Sequence, residues 1–281
     1  MIAITLEQGS PEWLDYRRTK RSASETPTVT RRSPYQTWEQ LRDIKRGANT
    51  FTTKAMQHGH ANENRARLWA EAETGLFLPP IVVEEGDYAA SLDGVSDAHI
   101  LEIKCPFQGR ASDTWKLAAE GVIRADYAQQ VQHQLMVSGK SGAFFVVFDA
   151  ATDHGLMLEI KPDPEQWEPL RAAWDEFWEW SLTDDPDPIK DIRTDAEWIE
   201  AALEYASLDA RIKQLEAMKA AGRQKLIDLA GESTKAQGGG ITVSKIEKQG
   251  NVDWKKIASQ HPEIDPEPFR GKSRVEWRIN L

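Results

Sequence analysis

Apolar residues change their spacing several times along the chain, and each change marks an element. Trp13, Leu14 and Tyr16 follow Ser10-Pro11 and are interleaved with Arg17, Arg18, Lys20 and Arg21. A serine N-cap with proline at the first helical position predicts a helix over 11–20. A second helix is predicted from Ser33 or Pro34 to Arg46, and a third over 53–74, where Gly75 supplies the stop. The period then falls to two, and 81–85, 88–95 and 100–105 read as strands. Helical spacing returns over 112–120 and 125–138. Ala-Phe-Phe-Val-Val-Phe within 142–148 is the continuous apolar run of a strand covered on both faces. An alternating strand over 155–161 comes next. The helix over 164–181 then presents Trp167, Leu170, Trp174, Phe177 and Trp178 on one side. This order predicts an α/β (α+β) fold, a mixed central β-sheet flanked by helices.

The pattern changes after Trp180. Thr183-Asp-Asp-Pro-Asp-Pro188 is acidic and proline-bearing, so we divide the chain into a core over 1–182, a linker over 183–193 and a small α+β appendage over 194–281. Thr194-x-x-Glu197 forms a capping box. The helix behind it extends to Ala230 and carries Trp198, Ala202, Tyr205, Leu208, Ile212, Leu215, Met218, Leu226 and Leu229, mostly three or four residues apart. Packing on the appendage's own strands is the expected use of that stripe, with a coiled-coil contact as the alternative. Gly231 ends the helix. A Gly238-Gly-Gly240 break, a strand over 241–247, a short helix near 252–259 and a final strand over 273–279 complete the reading. There is no internal repeat.

Composition narrows the classes. With 281 residues, 40% of them hydrophobic, the chain has material for a sizeable core. No stretch has the length of apolar sequence that spans a bilayer. The start, Met-Ile-Ala-Ile-Thr-Leu-Glu, lacks the basic flank and apolar run of a signal peptide, so the expected location is the cytoplasm. The single Cys105 excludes a disulfide framework and a self-contained four-cysteine zinc or iron–sulfur site. It is expected to pack as a small apolar residue. A net charge of −10 argues against a nucleic-acid ligand until it is divided along the chain. Residues 1–67 carry 12 basic and 7 acidic side chains, 159–209 carry 4 and 16, and 210–281 carry 14 and 9. Phosphates would be drawn to the two ends and repelled by the middle. The acidic segment itself reads as a solvated face.

The candidate chemistry lies in Ser91-Leu-Asp-Gly-Val-Ser-Asp-Ala-His-Ile-Leu-Glu-Ile-Lys104. It reads as two strands joined at Ser96-Asp97-Ala98. Alternation along a strand puts Glu102 and Lys104 on one side, beside Asp93 across the hairpin. Two carboxylates with an ammonium alongside suit a hard divalent cation that activates water at a phosphodiester. The plainer reading is turn chemistry at Asp-Gly and Ser-Asp, with an ordinary ion pair across the sheet.

Asp93 followed by Glu102-x-Lys104 resembles the PD-(D/E)xK nuclease signature. Four more segments, in the same order, resemble its YqaJ-like viral recombinase and lambda exonuclease branch. They are Trp13-x3-Arg17 with Ser22-Ala23-Ser24; Gly59-x3-Glu63; Glu102-Ile-Lys-Cys-Pro106; and Tyr127-Ala-Gln-Gln-Val-Gln132. Thr19 departs from it where glycine is common, as does Glu25 after Ala-Ser, and the tail after Trp180 has no counterpart in the shortest members. The resemblance implies a restriction-endonuclease-like core and digestion of one strand of linear duplex DNA from its 5′ end. It also implies a ring-shaped homotrimer and a single-strand annealing protein as partner in phage-type recombination. On this reading Asp93 and Glu102 hold Mg²⁺, with Mn²⁺ as the substitute, helped by the Ile103 carbonyl. Glu63 serves a second ion, and Gln130 or Gln132 positions the water or Lys104. Lys104 stabilises charge or acts as base, and Arg17 and Ser24 bind the 5′-phosphate. An isolated helical glutamate such as Glu63 would otherwise be solvated, and Arg17 would be a surface ion pair. Two alternatives stay open: a site-specific or structure-specific endonuclease on the same core, and a non-catalytic DNA-binding recombination partner.

Overall fold

The first strand, β1 (Ile2–Ile4), gives no periodic signal because it is three residues long. It is held by pairing with a later strand, as the topology below makes clear. In this computed structural model, residues 2–6, 9–48, 53–189, 191–193, 195–247, 257 and 260 are described. The chain divides into a unit over 1–214 and a unit over 215–281. Apart from residue 257, the helix near 252–259 and the strand over 273–279 expected from sequence lie outside the described residues, as does Thr194 of the expected capping box.

In the first unit, α1 (Pro11–Arg18) starts as expected, with the Ser10 hydroxyl accepting from the Trp13 N–H at 3.1 Å. Next come β2 (Arg21–Ser22), α2 (Thr26–Val29) and α3 (Trp38–Lys45). The predicted start of α3 at Ser33 or Pro34 is corrected to Trp38. Thr37 and Gln40 form a reciprocal capping box there, which satisfies the first free amides only from that point. The helix α4 (Lys54–Thr74) is capped by Thr53 and ends on Gly75 at φ 68°, a left-handed conformation that glycine adopts without penalty. Then follow β3 (Ile81–Glu85), β4 (Tyr88–Leu92), β5 (Gly94–Val95), β6 (His99–Lys104), α5 (Asp113–Ala119), α6 (Ala125–Ser138), β7 (Gly142–Asp149), β8 (His154–Ile160) and α7 (Trp167–Ser181). The helix α8 (Ala196–Ala230) begins in this unit.

The single sheet expected from sequence is two four-stranded sheets, both mixed. One has the order β1-β3-β4-β2 and the other β5-β6-β7-β8. The predicted strand over 88–95 is broken at Asp93, and its two pieces belong to different sheets. A steric reason lies in Gly94, where a Cβ would come within 2.8 Å of the Leu78 carbonyl and 2.9 Å of the Leu78 Cβ. Only glycine lets the chain cross there, so the Asp-Gly pair marks a crossing of segments as well as a turn.

In the second sheet β6 runs parallel to β7 and places Glu102 opposite Phe145 and Lys104 opposite Val147. Alternate residues leave by opposite faces. Leu101, Ile103, Cys105, Val146 and Phe148 pack with Ala66 and Ala70 of α4. Ile100, Ala143, Phe145 and Val147 join the larger core with Val131 and Leu135 of α6 and with Trp174 and Phe177 of α7. Glu102 and Lys104 share the face of Ile100 and therefore look toward α6.

Charge in this unit follows the sequence expectation only in part. Arg21 pairs with Asp175 at 2.6 Å, Arg31 with Asp187 at 2.9 Å and Arg46 with Asp184 at 2.8 Å. Arg42 donates to the Asp185 carbonyl at 2.7 Å, and Asp187 is buried. The acidic stretch is thus partly a set of counterions for the basic N-terminal segment, and less of that segment's charge is free for phosphates. In the second unit, β9 (Lys235–Gly238) and β10 (Ile241–Ser244) form an antiparallel hairpin across the glycine break.

Candidate active site

Glu102 is buried on β6, and every donor around it comes from β6 or α6. One carboxylate oxygen accepts from the Lys104 ammonium and, at 2.8 Å, from the Gln130 amide. The other accepts from the Gln134 amide at 2.5 Å. Gln130 closes the ring by accepting from the Lys104 ammonium at 3.2 Å. Gln130 and Gln134 stand four residues apart on α6 and so share one helix face. Tyr127, one turn earlier, places its ring 4.7 Å from the Lys104 ammonium. Burial works against the charge of Lys104, but Glu102, then Tyr127 and Asp93, outweigh it, and the proton affinity rises above that of an ordinary lysine.

Asp93 occupies the break between β4 and β5. One of its oxygens accepts from the Ile103 N–H at 2.7 Å, which ties it to the strand bearing Glu102 and Lys104. Burial, then the charges of Glu102 and Glu63, hold its carboxyl well above the usual carboxylate range. Glu63 arrives from α4, on the opposite side of the second sheet, and is half-buried. Cys105 is buried, and burial with the same two carboxylates, Asp93 and Glu63, pushes its thiol up to about 12. It is a packing residue, as the sequence predicts.

The donor set suits a hard divalent cation. The groups are carboxylates, and a cation would offset both the burial and the negative neighbours that raise Asp93. Among the described residues no three His, Cys, Asp or Glu side chains are drawn together as a ready ligand set. Mg²⁺ commonly takes only one or two carboxylates and keeps its waters, a number that Asp93 and Glu102 match.

Gln132 stands apart, which corrects its place among the expected site residues. Its amide donates to the Lys161 carbonyl at 2.9 Å, and its carbonyl accepts from the Asp163 N–H at 2.8 Å and the Trp167 indole at 3.3 Å. Two residues along a helix is a turn of about 200°, so Gln132 points away from Gln130. The same period picks out Gln134, which the sequence reading passed over.

Arg17 and Ser24 come together, with the guanidinium donating to the Ser24 hydroxyl at 2.8 Å. Arg17 also pairs with Glu25 at 3.2 Å and lies 4.5 Å from the Trp13 ring. Glu25 is shared with the buried Lys45 at 2.6 Å, so one carboxylate faces two cations. Trp13 donates to the Ser91 hydroxyl at 3.2 Å and thereby joins this cluster to the strand that leads into Asp93.

Residues 12–141 match the family described as YqaJ-like viral recombinase domain. Over those residues the chain is similar to YqaJ-like viral recombinase domains. No curated protein gives a significant match. Among solved structures, an alkaline exonuclease, LHK-Exo, from Laribacter hongkongensis is similar at 23% identity and TM-score 0.50, over 73% of this chain and all of that one. LHK-Exo in complex with dAMP is similar at 23% identity and TM-score 0.51 over the same shares. These likenesses establish the fold, which is of the restriction-endonuclease-like type. Every candidate side chain named above, Gln134 included, falls inside the matched residues 12–141.

Proposed function

We propose that this domain is a metal-dependent DNA exonuclease that degrades one strand of linear duplex DNA from the 5′ end. The observation that carries the proposal is the buried Glu102, fastened by Lys104, Gln130 and Gln134, beside an Asp93 whose carboxyl is crowded by negative charge. Mg²⁺ held by Asp93 and Glu102 with the Ile103 carbonyl, or Mn²⁺ in its place, would supply a water of lowered pKa and neutralise charge on the scissile phosphate. Glu63 would serve a second ion.

The chain's own groups divide the remaining work. Lys104 is held protonated by its neighbours, which favours stabilisation of phosphate charge over proton abstraction. Gln130 fixes both Glu102 and Lys104, and Gln134 fixes the second oxygen of Glu102. Arg17 and Ser24 offer donors to a terminal 5′-phosphate, where the two cations around Glu25 leave one positive charge over. The family resemblance adds a homotrimer and a single-strand annealing partner. No helix among the described residues is long and apolar enough to cross a membrane.

The test uses end-labelled linear duplex and closed circular duplex, each with Mg²⁺ or EDTA. Loss of linear DNA alone, only with Mg²⁺, is the expected result. Cutting of circles would make the protein an endonuclease, and binding without cutting would make it a non-catalytic partner. Arg17→Ala is expected to slow 5′-phosphorylated ends on the order of tenfold and to leave 5′-hydroxyl ends nearly unchanged. Equal losses on both would reduce Arg17 to a general backbone contact.

A further inference from the structure

Helix α8 is 35 residues long and buries none of them. Its apolar residues fall on two opposite faces. Ile199, Leu203, Ala206 and Ala210 are half-buried. That side of the helix meets the rest of the 1–214 unit, where Arg211 pairs with Glu120 at 3.0 Å and Gln214 donates to the Gly121 carbonyl at 3.3 Å. The other face is bare. Trp198 is 53% exposed, Ile212 54% and Leu229 75%. Among the described residues, nothing covers the stripe expected to pack on the appendage's own strands.

The bare face keeps a seven-residue repeat. Trp198, Ala201, Tyr205, Leu208, Ile212 and Leu215 alternate steps of three and four, and Leu226 and Leu229 rejoin the same register after Lys219 and Gly222. A mean step of 3.5 is the repeat of a seam that faces another helix of the same kind. The half-buried residues take the positions that a coiled coil turns outward, so one face serves the chain's own fold and the other is free.

We infer that α8 is a docking surface for a second copy of this chain, and that the two helices pair antiparallel about a point between Lys213 and Gln214. In that alignment each large residue meets a complement in the second copy. Trp198 faces Leu229, Leu226 faces Ala201, Ile212 faces Leu215, and Tyr205 fills the space left by Gly222. Lys219 faces Leu208, with its ammonium free to reach water along its apolar stem. Parallel pairing in register would set Lys219 against Lys219 and leave a void where Gly222 meets Gly222. On one flank Glu204 faces Lys225, twice by symmetry. On the other, Asp209 faces Glu216, and Asp209 is already held by Lys213 at 2.8 Å. The apolar surface offered by both helices is on the order of 1,000 Å², the least that a specific interface needs.

Sedimentation equilibrium of the full chain tests the pairing, with Ile212→Glu/Leu215→Glu as the variant and circular dichroism to confirm that both fold alike. The wild type is expected to have at least twice the mass of the variant at the same concentration. Equal masses would overturn the proposal and leave the face to some other protein. Orientation is read by disulfide cross-linking, in which buried Cys105 does not compete. Tyr205→Cys mixed with Gly222→Cys is expected to cross-link, and neither alone. Cross-linking of Tyr205→Cys with itself would overturn the antiparallel arrangement, and absence of any cross-link would overturn the contact.

Discussion

Helices α6 and α8 put polar and apolar residues to opposite uses. In α6, Gln130, Gln132, His133 and Gln134 are buried among Val131, Leu135 and Val137. In α8, tryptophan, tyrosine, isoleucine and leucine lie open over nine turns. Polarity alone would have placed these residues the other way round. The difference lies in partners. Each buried glutamine of α6 finds a carboxylate, an ammonium or a backbone group, so its burial forfeits few hydrogen bonds. The open face of α8 has no complement among the described residues of its own chain.

The comparison breaks most readily at Glu102, where the α6 glutamines converge. Glu102→Gln is expected to lower the cleavage rate on the order of 10³-fold, because one electrostatic contact to a transition state is worth about 10²–10³. Single-turnover kinetics on linear duplex measure this, and a rate near wild type would detach the glutamines from catalysis. A smaller effect is expected from truncating the two helices alike. Leu135→Ala in α6 should cost about 2–5 kcal/mol of unfolding free energy. Leu208→Ala in α8 should cost less than about 0.5 kcal/mol where the chain is a single copy. Urea unfolding at low protein concentration reads both, and equal costs would mean that α8 is as well packed as α6.

His133 sharpens the picture through pH. Burial, then the nearby Arg171, lowers its pKa from 6.5 to about 3. Its ring bonds the Thr26 hydroxyl at 2.6 Å in a pocket with Tyr88 and Trp174. The unfolded chain takes up this proton near 6.5 and the folded chain only near 3, so the folded state loses stability as pH falls through that window. By pH 5 the loss is about 2 kcal/mol. Unfolding free energy measured between pH 7 and 4 should therefore fall less steeply in His133→Gln than in wild type, and equal slopes would clear this residue.

The finest distinction lies between two glutamines. Gln134→Ala leaves one oxygen of Glu102 without its donor and should lower metal affinity or activity about 10–100-fold. Gln132→Ala removes contacts to Lys161, Asp163 and Trp167 and should cost about 1 kcal/mol of stability with an unchanged rate at saturating DNA. Kinetics and thermal unfolding of the two variants side by side decide it. A matching loss of rate in Gln132→Ala would return that residue to the active site.

Several of these features are legible without coordinates. The cap at Ser10 and the stop at Gly75 bound their helices because helix ends are satisfied locally. Alternation sets Glu102 and Lys104 on one face because a strand has only two. The period of 3.6 separates Gln130 and Gln134 from Gln132, although the short Tyr127–Gln132 segment that carried the resemblance stopped before Gln134. The heptads of α8 are likewise present in the chain, but a stripe does not say whether strands of its own appendage or another helix will cover it.

The sequence by itself determined most of the element types in the first unit and the alternation that puts Glu102 and Lys104 on one face. These depend on a residue and its near neighbours along the chain. Only the tertiary structure decided that the strand breaks at Asp93 into two sheets, because that turns on Leu78 standing where a side chain at position 94 would go. It alone decided that Asp175, Asp184 and Asp187 pair with N-terminal arginines, Asp187 from a buried position, and that no described residue covers one face of α8. Pairings between residues more than 100 positions apart depend on which surfaces meet, and local spacing carries no record of that.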